Sequence, residues 1–162
     1  FDQCQQLVKS ALQDFDCQSI TKLSSANSIN IGRLLPQMIY YAYSSLQFYK
    51  KNRLKAGFII PSGNLGNATA AYWAKEMGFP IRQIVLSTNA NQVISDYLST
   101  GYYELRPSIA TLANAMDVGN PSNFERLSQL FNSFHEFTFS KRIFYSGSWR
   151  IVHQFWLGDV AI

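Results

Sequence analysis

Residues 59–67 read Ile59-Ile60-Pro61-Ser62-Gly63-Asn64-Leu65-Gly66-Asn67, and their types and spacing suit the binding of an anion. Glycine lets a backbone turn through φ > 0 and come close to a ligand, and the first N–H groups of a helix have no internal partner. Those free donors, with the positive end of the helix dipole, favour a phosphate. A Walker loop would need Gly-Lys-Ser/Thr at its end, and no lysine follows Gly66. A dinucleotide fingerprint would need G-x-G-x-x-G, whereas these glycines stand at 63 and 66 with Asn64 and Asn67 beside them. The loop suits one phosphate, not a nucleotide's chain of them. Taken alone, it fits equally an empty structural turn between a strand and a helix.

The flanks supply the elements that must position such a loop. Ala56-Gly57-Phe58-Ile59-Ile60 is a short apolar run of the kind that forms a buried parallel strand, and 68–77 is rich in helix formers and stopped by Gly78-Phe79-Pro80. A second strand is expected at 82–87, and a helix over 89–98 closed by Thr100-Gly101. Asn120-Pro121-Ser122-Asn123-Phe124-Glu125 reads as the capped start of a helix running to about residue 131. Upstream, Cys4, Leu7, Val8, Ala11, Leu12 and Phe15 form a helical stripe over 2–16, and 23–28 is a polar, capping-rich turn. A long helical pattern follows over 29–52 through Ile31, Leu34, Leu35, Met38, Ile39, Ala42, Leu46 and Tyr49. Pro36 falls inside it, so either the helix is kinked after a first turn at 30–35 or it begins near the proline.

Strands alternating with helices predict an α/β fold in three layers: an open parallel sheet, right-handed crossovers and flanking helices. Ligands of such sheets sit beyond the carboxyl ends of the strands, where 62–67 falls. From about residue 134 the period changes to alternation, and Phe144-Tyr145-Ser146-Gly147-Ser148-Trp149 reads as a β-hairpin in a separate tail, 134–162.

The 162 residues are enough for one domain with a core, and 47% hydrophobic with 15% charged residues excludes a disordered chain. No apolar run of membrane-spanning length appears, so nothing should cross a bilayer, and with only two cysteines a reducing compartment, the cytoplasm, is expected. The net charge of +4 is scattered apart from Lys50-Lys51-Asn52-Arg53, which suits a helix C-terminus better than nucleic acid. Cys4 and Cys17 lack metal-ligand spacing, so no metal and no reactive thiol are expected. The sequence opens on Phe1 inside a helical pattern, as expected of an excised domain or an incomplete chain.

Four ordered segments resemble threonine synthase, an enzyme of the fold-type II pyridoxal-phosphate family. They are Ser25-Ala26-Asn27-Ser28-Ile29-Asn30-Ile31, Pro61-Ser62-Gly63-Asn64-Leu65-Gly66-Asn67, Ser87-Thr88-Asn89-Ala90-Asn91 and Asn114-Ala115-Met116-Asp117-Val118. The resemblance covers about 1–131 and implies a cofactor-phosphate subdomain over 1–133. It implies pyridoxal 5′-phosphate as cofactor, with Gly63, Asn64, Leu65, Gly66 and Asn67 around its phosphate, largely through backbone N–H groups. The implied reaction is that of a carbon–oxygen lyase in threonine biosynthesis: O-phospho-L-homoserine and water give L-threonine and phosphate. Asn27, Ser28 and Arg33 are candidates for the substrate's phosphate or carboxylate; the other reading of 25–33 is a capping turn with Ser25 or Asn27 as N-cap and Arg33 in solvent.

The chain departs from the family in three ways. Leu65 stands where the family usually has phenylalanine, a change that backbone binding should tolerate. The family's Schiff-base lysine lies upstream of anything here, and Lys9, Lys22, Lys50, Lys51, Lys55, Lys75 and Lys141 match no such motif. No catalytic residue is therefore expected in this chain, which should be inactive without the rest of a parent enzyme. The tail at 134–162 has no counterpart. A non-catalytic module binding a small phosphorylated metabolite is the alternative, and a purely structural domain a third reading.

Other chemistry finds no support. His135 and His153 lie in the tail, Ser62 lacks the G-x-S-x-G elbow, and Glu76 reads as a solvated helix-face charge. Asp117 is expected as a structural hydrogen-bond acceptor near a strand end rather than as a base.

Overall fold

A computed structural model describes residues 2–130. The tail at 134–162, with its expected hairpin, His135, His153 and Lys141, lies outside the described residues. Two amino-terminal helices, α1 (Asp2–Gln13) and α2 (Phe15–Ile20), precede the long α3 (Ile31–Asn52). Strand β1 (Ala56–Pro61), helix α4 (Gly66–Glu76) and strand β2 (Ile81–Ser87) follow. Helix α5 (Val93–Thr100), a 3₁₀ turn (Asn114–Met116) and α6 (Phe124–Ser128) complete the described chain.

The α/β expectation holds: β1 and β2 pair in parallel, from Ala56 beside Ile81 to Pro61 beside Ser87, with one irregularity between Ala56 and Gly57. Parallel neighbours need a crossover, and α4 provides it. Its sequence explains its position. Gly66, Ala68, Thr69, Ala70, Ala71, Tyr72 and Ala74 are all buried, so the helix is covered on nearly every side. Small side chains let α3 and the sheet close on its backbone. With Tyr41, Ile60, Ile84, Leu86, Ile94 and Leu127, α4 forms the core.

Helix ends follow their local chemistry. Gly78 takes φ +93° just past α4, Gly101 takes φ +80° after α5, and Lys50 and Lys51 occupy the last turn of α3. Asn30 caps α3, its side chain accepting from Gly32 N at 2.9 Å, so the helix starts well before Pro36 and the capping turn belongs to Asn30, not to Ser25 or Asn27. Asp14 breaks the single helix expected over 2–16 by capping α2 through Cys17 N.

The long apolar stripes are only partly covered. In α3 the buried residues are Leu34, Tyr41 and Ser45, while Ile31, Leu35, Ile39 and Leu46 are exposed. In α1, Gln5 is buried and Leu7 is 71% exposed. Periodicity tells which face of a helix is apolar; it does not tell whether anything packs there.

Candidate functional site

Strand β1 hands over to α4 at residues 62–65. Ser62 still belongs to the sheet: its N–H donates to the Ser87 carbonyl at 2.8 Å and its hydroxyl to the Ile60 carbonyl at 2.8 Å. The chain then turns sharply at Leu65, which takes left-handed values of φ 61° and ψ 3° as N-cap of α4. The Leu65 carbonyl accepts from Thr69 twice, N–H and hydroxyl both at 2.8 Å. Among the described residues, the backbone N–H groups of Gly63, Asn64, Leu65, Gly66, Asn67 and Ala68 meet no acceptor. A left-handed residue at a helix start turns successive amides to one side, a concavity suited to an anion.

What fixes this loop comes from far away in sequence. The Asn64 side chain is fully engaged: its Nδ2 donates to Ser28 Oγ at 2.6 Å, and its Oδ1 accepts from Ser122 N–H at 2.5 Å and Ser122 Oγ at 2.7 Å. Gln5 Nε2 backs the same hydroxyl at 3.0 Å. The Asn64 carbonyl accepts from Asn123 Nδ2 at 3.0 Å. Asn123 is fully buried, and its Oδ1 accepts from Arg126 at 2.6 Å.

Two glycines make the packing feasible. A Cβ on Gly63 would lie 2.9 Å from Met116 Cα, and one on Gly66 2.9 Å from Ser28 Cβ. On the other side, Asn67 Oδ1 accepts from the hydroxyls of Tyr40 at 2.6 Å and Tyr41 at 2.5 Å. Burial pushes both phenols up, Tyr41 strongly, which keeps them protonated as donors. With both asparagine oxygens turned to these donors, the loop presents N–H groups to a ligand.

Of the substrate candidates, Ser28 reaches the loop through Asn64. Asn27 Oδ1 accepts from Ile29 N–H and Ser28 Oγ, both at 3.3 Å, shaping its own turn. Arg33 is exposed and donates to the Ala26 carbonyl. Lys75 is at the far end of α4, nine residues past Gly66 and so ~13 Å along the axis. Burial lowers its pKa, and its Nζ donates to the Arg82 carbonyl at 3.0 Å. Among the described residues no three His, Cys, Asp or Glu gather as metal ligands, and no helix is long and apolar enough to cross a membrane.

Asp117 is the structural acceptor expected of it, though it follows a 3₁₀ turn and not a strand. Its carboxylate accepts from Thr111 N–H at 2.8 Å, Thr111 Oγ1 at 2.6 Å, Asn89 Nδ2 at 2.7 Å and Asn91 Nδ2 at 3.2 Å. The Thr111 hydroxyl, then its amide, hold the carboxyl below the usual range. This clasp ties 109–117 to the β2–α5 loop, and Met116 next to it is the wall behind Gly63.

Sequence reasoning missed Ser122, Asn123 and Arg126 as partners of the loop. Ser and Asn before a helix read as caps, yet Asn123 makes no side-chain cap bond at α6. Its amide turns to Asn64 instead, and neither spacing nor composition signals that. Tyr40 and Tyr41 were hidden inside an apolar helix pattern.

No protein-family model matches the chain. The threonine synthase of Haemophilus influenzae is 47% identical over 131 residues, 81% of this chain and 31% of that protein. The crystal structure of threonine synthase from Escherichia coli superposes with a TM-score of 0.78 at 38% identity, over 90% of this chain and 34% of that one. The pyridoxal-phosphate-bound threonine synthase of Brucella melitensis gives 0.67 at 40% identity, over 78% of this chain and 27% of that one. The chain spans about a third of the length of these relatives. In sequence and in fold it is thus similar to one portion of threonine synthase.

Proposed function

We propose that this chain is the cofactor-phosphate portion of a fold-type II threonine synthase, holding the 5′-phosphate of pyridoxal phosphate on Gly63, Asn64, Leu65, Gly66 and Asn67. The observation that carries the reading is the row of backbone amides at 63–68 that meet no acceptor among the described residues, at the mouth of a parallel sheet and the start of a buried helix. A phosphate dianion needs such a set of donors, and the helix dipole adds to it.

When bound, the cofactor supplies an electron sink for carbanions at the α and β carbons of O-phospho-L-homoserine, on the way to L-threonine and phosphate. The part of this chain is binding and orientation. The loop amides hold the phosphate end, Asn64 and Asn67 lock the loop on both sides, and buried α4 keeps water from its back. The Schiff-base lysine and the group facing the pyridine nitrogen belong to the rest of the parent enzyme, consistent with Lys75 being a helix length from the loop. In this reading 1–133 is the subdomain, 134–162 is a separate tail, and the whole works in the cytoplasm without nucleic acid or membrane. Arg33, at the rim of the turn that carries Ser28, takes the substrate's phosphate or carboxylate, with Asn27 and Ser28 shaping that turn.

Titration of the ¹⁵N-labelled chain with pyridoxal phosphate, with pyridoxal as the control lacking a phosphate, tests this. Amides 63–68 should shift with the first and not with the second. A loop that stays silent to pyridoxal phosphate at millimolar concentration ends the proposal.

A further inference from the structure

The loop at 62–67 leans on one cation, Arg126, that lies outside all four segments carrying the resemblance. Arg126 is half-buried on α6, and its guanidinium donates to three oxygens: Asn123 Oδ1 at 2.6 Å, Ile29 O at 2.6 Å and Ser28 O at 3.3 Å. Among the described residues no carboxylate pairs with it; the ion pairs there belong to Arg106. A half-buried arginine spent on neutral oxygens keeps its whole positive charge.

Its position in the hydrogen-bond chain gives it a definite task. Asn123 could turn either end of its amide towards Asn64. Because Arg126 demands an acceptor, Oδ1 faces the guanidinium and the donor Nδ2 faces the Asn64 carbonyl, at 3.0 Å. The peptide between Asn64 and Leu65 is trans and planar, so its N–H points opposite to its C=O. Drawing the Asn64 carbonyl inward therefore turns the Leu65 N–H outward, to the open side of the loop. The same guanidinium pins the carbonyls of Ser28 and Ile29, and Ser28 closes on Gly66 and Asn64.

We infer that Arg126 is a positioning residue for the phosphate site: acting through Asn123, it aims the Leu65 amide at the ligand's phosphate and places behind it a guanidinium that pairs with no carboxylate among the described residues. This rests on the phosphate-loop reading proposed above. Aromatic packing makes the support rigid, since Phe124 stacks on Tyr103 at 4.0 Å and meets Tyr97 edge-on at 4.9 Å.

The test is the same labelled full chain, titrated with pyridoxal phosphate as wild type, Arg126→Lys and Arg126→Met. Wild type should show shifts across 63–68. Arg126→Met should bind at least tenfold more weakly, with the Leu65 response lost and that of Asn67 retained. Arg126→Lys, which keeps the charge without the fork, should recover part of the affinity but not the Leu65 response. A silent wild-type loop removes the phosphate reading itself. A responsive wild type with an unchanged Leu65 response in Arg126→Lys, or in a folded Arg126→Met, overturns this inference alone. Should Arg126→Met not fold, Arg126→Lys decides.

Discussion

Three glycines of this chain sit in three different surroundings, and replacing each by alanine separates them. At Gly63 the constraint is space. Its φ is not positive, but an added Cβ would sit 2.9 Å from Met116 Cα, 3.2 Å from Met116 C and 3.1 Å from Val118 Cγ2. Ordinary contact starts at 3.4 Å, so something must yield by about half an ångström. Met116 cannot yield easily, because Asp117 next to it is clasped by Thr111, Asn89 and Asn91. The loop is what moves, outward and with its amides. Overpacking of this kind costs about 1–3 kcal/mol. For a domain of this size, ~2 kcal/mol lowers Tm by roughly 4–8 °C. A displaced donor weakens a charge-assisted hydrogen bond of about 1.5–3 kcal/mol, so affinity for pyridoxal phosphate should fall at least tenfold. At Gly57 a Cβ meets only Gln83 O at 3.9 Å, and alanine there should stabilise by ~0.5 kcal/mol, as glycine is a poor strand residue. At Gly78 the space is open but φ is +93°, so Gly78→Ala should cost ~1 kcal/mol from backbone strain and leave ligand binding alone. Thermal unfolding and the titration, run on all three variants, give the pattern. If Gly63→Ala bound and melted like Gly57→Ala, the claim that Met116 buttresses the loop would be wrong.

Other expected outcomes follow from single contacts. Tyr41→Phe removes the 2.5 Å bond to Asn67 from a buried hydroxyl and should cost ~1 kcal/mol in urea unfolding; Tyr40→Phe, at an exposed phenol, should cost less. Arg33→Ala, in the reconstituted parent enzyme, should weaken phosphohomoserine binding about tenfold if the fork meets an anion, and equal affinity would leave Arg33 as a turn residue. Asp117 has a depressed pKa, so its clasp contributes stability that is complete above the ordinary carboxylate range and lost as pH falls through the lower folded value. Protection of the Thr111 amide, taken against its intrinsic exchange rate, should therefore fall on acidification below pH ~3.8, and Asp117→Asn should flatten that acid response.

How much could be read in advance depended on whether an interaction was local. The strand, loop and helix at 56–76 were legible because their determinants are neighbours: an apolar run, two glycines and an alanine-rich stretch ended by glycine. The same holds for β2 and for the capped end of α5. What escaped was long-range. The bonds that orient the loop join Asn64 to Ser28, Ser122 and Asn123, the last pair separated by 59 positions, and no periodicity encodes them. Asparagine and serine suit caps, turns and tertiary clamps alike, so their type alone leaves the use open. A phosphate loop read from sequence is thus a statement about which amides could be free. Whether they are free is decided elsewhere: by Thr69 taking the Leu65 carbonyl, by Asn123 taking that of Asn64, and by tyrosines taking the oxygen of Asn67. Each of these satisfies an acceptor at the loop and leaves its donors for a ligand. The site is made less by adding groups that attract a phosphate than by occupying oxygens of Asn64, Leu65 and Asn67 that would compete for the amides.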